Sequence, residues 1–198
     1  MFTGIIQSIG SIKKIESLKK DARITVAYKA NKMGASNLGD SISINGVCLT
    51  IQKKQNNQFI FHVSEETLKR TISFTEKSLV NLESAVLYNG KVGGHFVTGH
   101  IDGIAKIASI KTTSQCWILE IKPPKKLMKF IAEKGSVAIN GVSLTVVYSE
   151  ENIFSVAKFW GVKVVIWRFL ISDNDQTPPF KFCCSSHGCC GGRNSSEY

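Results

Sequence analysis

The sequence predicts an all-β protein of two tandem six-stranded antiparallel barrels, and three observations predict it. The first is a repeat. Thr98-Gly99-His100-Ile101 answers Thr3-Gly4-Ile5-Ile6, and Ile104, Ile107 and Ile110 stand where Ile9, Ile12 and Ile15 stand, at an offset of 95 residues. The same offset carries Ile44-Asn45-Gly46-Val47-Cys48-Leu49-Thr50 onto Ile139-Asn140-Gly141-Val142-Ser143-Leu144-Thr145, and Met33 onto Met128. That period is too long for a solenoid unit and has the size of a small domain, so residues 1–97 are expected to form one barrel and residues 98–198 a second. The other two observations are short β-branched runs with period-two alternation and the scarcity of helical patterning between them.

Taken in order, the runs at 5–15, 24–28, 41–44, 49–53, 59–63 and 79–83 give six strands in the first half. Asn45-Gly46 between the third and fourth is a hairpin signal, because both residues tolerate positive φ. One helix is predicted over 64–71. Ser64 can cap it, Glu65 and Glu66 suit its positive end, and Lys69 and Arg70 its negative end. In the second half Pro123-Pro124 precedes a predicted helix over 125–134, stopped by Gly135. Strands then return at 136–139, 144–148 and 153–156.

Beyond Ala157 the repeat fails. The offset predicts a capped helix near 159–166, where Phe159-Trp160-Gly161-Val162-Lys163-Val164-Val165-Ile166 offers neither N-cap nor acidic first turn. A sixth strand is due near 174–178, where Asn174-Asp175-Gln176-Thr177-Pro178 has turn composition. The tail from Cys183 onward resembles no barrel strand. The second barrel is therefore expected to be incomplete. A change of reading frame near codon 157 accounts for so abrupt a loss, and the coding DNA read in the other two frames should then restore a capped segment and a sixth strand.

Composition narrows the class. An apolar share of 43% with 20% charged residues is that of an ordinary soluble globular protein. No basic segment followed by an apolar run opens the chain, and the longest apolar stretch, 162–171, is short and carries Lys163 and Arg168. Neither a secretory signal nor a membrane partner is expected, and a cytoplasmic location is. A net charge of +10 raises the question of nucleic acid, yet the lysines are spread in ones and twos with no basic helix. Solvation or attraction of an anionic small molecule fits better. Cys48 and Cys116 are isolated, as in a reducing compartment. Cys183, Cys184, Cys189 and Cys190 with His187 have zinc-ligand chemistry but the wrong spacing for paired knuckles, so no metal site is expected.

Several of these segments resemble the α-chain type of riboflavin synthase. They are Met1-Phe2-Thr3-Gly4-Ile5-Ile6, Asn45-Gly46-Val47-Cys48-Leu49-Thr50, Glu66-Thr67-Leu68-Lys69-Arg70-Thr71, Gly93-Gly94-His95-Phe96-Val97-Thr98-Gly99-His100, and Lys134-Gly135-Ser136 through Leu144-Thr145. All stand in that family's order and spacing, over residues 1 to about 157. The resemblance implies two Greek-key lumazine-binding barrels, assembled as a homotrimer. It also implies a transferase of riboflavin biosynthesis, which dismutates two 6,7-dimethyl-8-ribityllumazine molecules to riboflavin and 5-amino-6-ribitylamino-pyrimidinedione. No metal or organic cofactor is implied.

The resemblance also implies a site between the first barrel of one subunit and the second barrel of a neighbour. The first barrel would offer Ser41, Cys48, Leu49, Thr50, the segment His62, Val63, Ser64, Glu65, Glu66 and Thr67, and Gly99, His100 and Ile101. The second would offer Lys134, Ser143, Leu144 and Thr145, with Gly4, Ile5 and Ile6 reaching the same pocket. By residue type alone, His100 is the side chain suited to proton transfer near neutrality, though a histidine beside glycines also serves structural ends. His95 is read as structural. Cys48 reads as a small buried hydrophobe, or as a nucleophile or polar contact if it faces ligand. Its repeat partner is Ser143, and that difference can separate donor from acceptor. Ser41, Thr50 and Thr67 are ordinary strand and helix residues unless they line a barrel mouth, where hydroxyls can bond a uracil-like edge. Lys134 reads as a surface charge at a helix end, or as a contact to the ribityl chain.

Two other readings stand beside this one. A lumazine- or flavin-binding protein without turnover, like the antenna proteins of this fold, fits the altered C-terminal half; the inactive product of a frame-shifted gene fits it too. A nucleic-acid-binding barrel lacks the stacked aromatics such surfaces use.

Overall fold

The computed structural model describes residues 1–33, 35–159 and 180–184. In the first half β1 (Ser8–Leu18), β2 (Asp21–Ala27), β3 (Ser41–Ile44), β4 (Val47–Gln55), β5 (Gln58–Val63) and β6 (Leu79–Ser84) close an antiparallel ring in the order β1-β2-β5-β4-β3-β6. Helix α1 (Ala30–Met33) precedes β3 and α2 (Glu65–Arg70) follows β5. The second half repeats the plan. Strands β7 (Gly103–Thr112) and β8 (Cys116–Lys122) lead to α3 (Lys125–Met128), then to β9 (Ser136–Ile139), β10 (Val142–Glu150) and β11 (Ile153–Phe159). With β12 (Phe180–Cys184) they close in the order β10-β11-β8-β7-β12-β9.

Alternation builds each wall. Along β5, Phe59, Phe61 and Val63 are fully buried while Gln58, Ile60 and His62 are half-exposed. Each such inward side chain contributes roughly 1.5–3 kcal/mol on burial. Asn45 (φ 49) and Gly46 (φ 87) make the β3–β4 turn, and Asn140 (φ 48) and Gly141 (φ 81) repeat it between β9 and β10. Closing so small a ring needs sharp bends, supplied by register shifts at Ile12/Lys14 and Ile51/Lys53 and again at Ile107/Ser109 and Val146/Tyr148. The shifts fall at the same offset of 95 as the sequence repeat.

Three expectations need correction. The helix expected over 125–134 is only α3, because the chain turns at Lys129 and Lys134 adopts φ 62 well beyond the helix. Strand β1 begins at Ser8 rather than residue 5, because the residues before it cross to the other barrel. Of the tail from Cys183 onward, expected to match no strand, Cys183 and Cys184 end β12, which pairs with β7 on one side and β9 on the other, while residues 185–198 lie outside the described residues. It occupies the sixth place with five residues drawn from outside the repeat. Five strands of the second ring therefore follow the repeat, and the sixth does not. The helix expected near 159–166, the strand expected near 174–178 and the zinc-type group around His187, Cys189 and Cys190 lie outside the described residues.

Candidate functional site

The two halves exchange their opening segments. Residues 2–6 reach the second barrel, where Ser143 N–H donates to the Gly4 carbonyl at 2.9 Å, before Gln7 N–H joins β6 at the Leu82 carbonyl at 3.0 Å. Residues 97–102 lie on the first barrel, where Cys48 N–H donates to the Gly99 carbonyl at 2.9 Å. At the crossing Phe2 and Val97 bond each other through both amides, at 2.7 and 3.0 Å. Ile101 enters the first core and Ile6 packs against the second. Positive φ at Gly4 (75) and Gly99 (79) permits this, and there is no room for a side chain. A Cβ on Gly4 would lie 2.5 Å from Ser143 Cβ, and one on Gly99 2.8 Å from Cys48 Cβ. Gly46 and Gly141 meet in the same interface, each Cβ position 2.8 Å from the other's amide nitrogen.

This exchange shapes a cleft of about 320 Å³ at the mouth of the first barrel. Strand β4 supplies Val47 and Cys48 to its lining, α2 supplies Glu66, Thr67 and Arg70, and Thr71 follows from the helix end. The exchanged segment adds Gly99, His100, Ile101 and Asp102. Helix α2 is fixed at its start by Ser64, whose hydroxyl accepts from Thr67 N–H at 3.3 Å, and by Asp21, whose carboxylate accepts from Glu65 N–H at 2.8 Å. Arg70 donates to the Glu66 carboxylate and holds that carboxyl below its ordinary range. The cleft thus gathers a cysteine, a histidine, the Thr67 hydroxyl and both signs of charge beside the apolar Val47 and Ile101, a composition suited to a polar heterocycle.

Of the residues singled out in the sequence, Cys48, Glu66, Thr67, Gly99, His100 and Ile101 meet in this cleft. Ser41 and Thr50 pair across β3 and β4, with Thr50 exposed, and Leu49 and Val63 belong to the core. His62 bonds the Asp21 carboxylate at 2.9 Å, and Glu65 forms ion pairs with Lys20 and Lys69. Sequence reasoning missed Val47, Arg70, Thr71 and Asp102 as cleft residues. Arg70 and Thr71 lie within the quoted helix motif, so its continuation around the helix was the available signal.

On the second barrel Ser143 is half-buried and its hydroxyl lies 2.6 Å from His95 Nδ1. His95 N–H also donates to the Thr3 carbonyl at 2.9 Å. Gly4, Ile5 and Ile6 adjoin this pair, Leu144 is buried, and Thr145 and Lys134 are exposed. By the repeat, Ile5 takes the place of His100 and Gln7 that of Asp102, so the two mouths carry different polar sets. Among the described residues no His, Cys, Asp and Glu side chains group as a metal site, and no helix is long and apolar enough to cross a membrane.

The matched segments decide the family. The lumazine binding domain model matches residues 3–85 and 98–159, one match in each half. The riboflavin synthase of Actinobacillus pleuropneumoniae is 45% identical over 160 residues, covering 79% of this chain and 74% of the relative. That of Bacillus subtilis is 41% identical over 161 residues, with the same two shares. The chain belongs to the riboflavin synthase family. Among solved structures, LumP complexed with riboflavin superposes with a TM-score of 0.81 at 22% identity, covering 93% of this chain and 99% of that one. LumP complexed with 6,7-dimethyl-8-(1′-D-ribityl) lumazine gives a TM-score of 0.78. At that identity the likeness is one of fold, and it extends to both barrels. Both matches of the family model include an exchanged opening segment, residues 3–6 and 98–102, so the cleft is built from the family's own sequence.

Proposed function

We propose that this chain binds 6,7-dimethyl-8-ribityllumazine in the first-barrel cleft and, with a second lumazine held by residues 98–198, forms riboflavin. One lumazine gives up a four-carbon unit, leaving 5-amino-6-ribitylamino-pyrimidinedione, and the other accepts it. The observation that carries this reading is the meeting of Cys48, Thr67 and His100 in one cleft. In the proposed mechanism His100 removes a proton from the acidic ring methyl. Cys48 adds to the pteridine ring or holds it, while Glu66, Thr67 and Arg70 face its polar edge. Ser143, with Lys134 and Thr145 nearby, serves the partner lumazine, which a homotrimer would bring from a neighbouring subunit against the first barrel.

A paired assay tests the reading. Lumazine is titrated by fluorescence and riboflavin formation is followed in the same sample. Binding with turnover supports the synthase; absence of binding refutes it. Binding without turnover supports a second reading, a lumazine carrier, which is favoured by one observation: the sixth strand of the second ring is β12, from outside the repeat.

A further inference from the structure

Glu83 lies in β6 and is 2% exposed. Its carboxylate is taken up by the exchanged N-terminal segment: Oε1 accepts from Thr3 N–H at 2.6 Å and from the Thr3 hydroxyl at 2.7 Å, and Oε2 from Gly4 N–H at 3.0 Å. Consecutive amides closing on an anion form a nest, which the positive φ of Gly4 makes possible. Burial pushes the Glu83 carboxyl above its usual range while these hydrogen bonds pull the other way. A buried carboxylate is costly unless its oxygens are used, and here both are.

The nest fixes more than itself. Gly4 is seated directly on Ser143, whose amide donates to the Gly4 carbonyl. Ser143 Oγ meets His95 Nδ1, and the His95 amide returns to the Thr3 carbonyl. Thr3, Gly4, Ser143 and His95 thus form a closed circuit with Glu83 at its root. The other exchanged segment seats Gly99 on Cys48 in the same way. There the register differs in residue type: Glu83 stands opposite Ser43, and at the equivalent place on β12 Cys183 stands opposite Ala138.

We infer that Glu83 is a positioning residue for the second barrel's ligand site, acting through the Thr3–Gly4 turn to set the Ser143–His95 pair. The term ligand site rests on the proposed function; the positioning itself does not. The test uses the full chain without ligand and reads the imidazole nitrogens by long-range proton–nitrogen NMR, with Ser143→Ala marking where the His95 Nδ1 resonance falls once the pair is broken. Glu83→Gln sets an amide NH₂ against the Thr3 and Gly4 donors. The expected result is a shift of His95 Nδ1 toward its Ser143→Ala position while His62 stays in place. Thermal unfolding of the same samples separates the alternatives: a lowered Tm with His95 unmoved makes Glu83 a structural clasp alone and overturns the inference. If Glu83→Gln does not fold, Thr3→Val removes one donor and should give a smaller shift of the same sign; no shift overturns the inference equally. Lumazine titration of the wild-type chain is run alongside. Failure to bind would overturn the functional reading and leave the His95 result standing.

Discussion

Thr71 caps the C-terminal end of α2 and is 5% exposed, and its hydroxyl has no hydrogen-bond partner among the described residues. An unpaired buried hydroxyl costs about 1–3 kcal/mol. Thr71→Val keeps the shape and removes that cost, so urea unfolding should show a gain of about 1 kcal/mol or more; a clear loss would mean that the hydroxyl is bonded. Tyr148 gives a second residue-scale prediction. Its hydroxyl donates to Glu120 at 2.7 Å, and that bond, with burial and the Glu120 charge, pushes it up to about 12. A raised folded value means a contribution complete below pH ~10, the unfolded value, and lost as pH rises through the folded one. Tyrosinate absorbance should therefore show a late-titrating group that Tyr148→Phe removes. At this scale the sequence displayed part of the cleft. Cys48, Thr67 and His100 stood out by motif, and Thr71 follows directly on the α2 motif, whereas Asp102 belongs to the cleft only because the halves exchange segments, and no local pattern encodes an exchange.

The exchanged segments are the elements on which the site depends. Gly99→Ala would place a Cβ 2.8 Å from Cys48 Cβ on a backbone of φ 79, so two costs add. The left-handed region costs a side chain roughly 1 kcal/mol and the clash more, for a total near ~3 kcal/mol. Gly4→Ala meets Ser143 at 2.5 Å and should be at least as damaging. Denaturant unfolding checks both, and tolerance of either would refute the seating described. Strand positions were legible because inward and outward residues alternate, and α2 because Ser64, Glu65, Glu66, Lys69 and Arg70 mark its ends. The start of β1 and the end of α3 were not. Ile5 and Ile6 carry strand-like side chains but serve the opposite barrel, and Leu127 and Ile131 are both buried although only Leu127 is helical.

At the scale of the whole molecule, β12 is what the repeat could not announce. Phe180, Lys181 and Phe182 take the register positions of Val80, Asn81 and Leu82 opposite β7 and β1 respectively, sharing alternation with them but no residue. Ring closure in the second half thus depends on a segment reached only after the repeat has ended, while β1–β6 close without it. Ending the chain after residue 159 should therefore split the two halves in behaviour. β7 and β9 would each lose a hydrogen-bonded neighbour, and their amides should exchange with solvent much faster. Amides of β1–β6 should keep their protection, since that ring and its inserted Ile101 remain, and lumazine binding by the first cleft should persist while riboflavin formation falls away. The interface counts against complete independence, because Phe2, Val97 and Ala138 form one buried cluster between the barrels. A uniform loss of protection in both rings would show that this cluster and the exchanged segments bind the halves into one cooperative unit. The first barrel would then owe its stability to β12 as well.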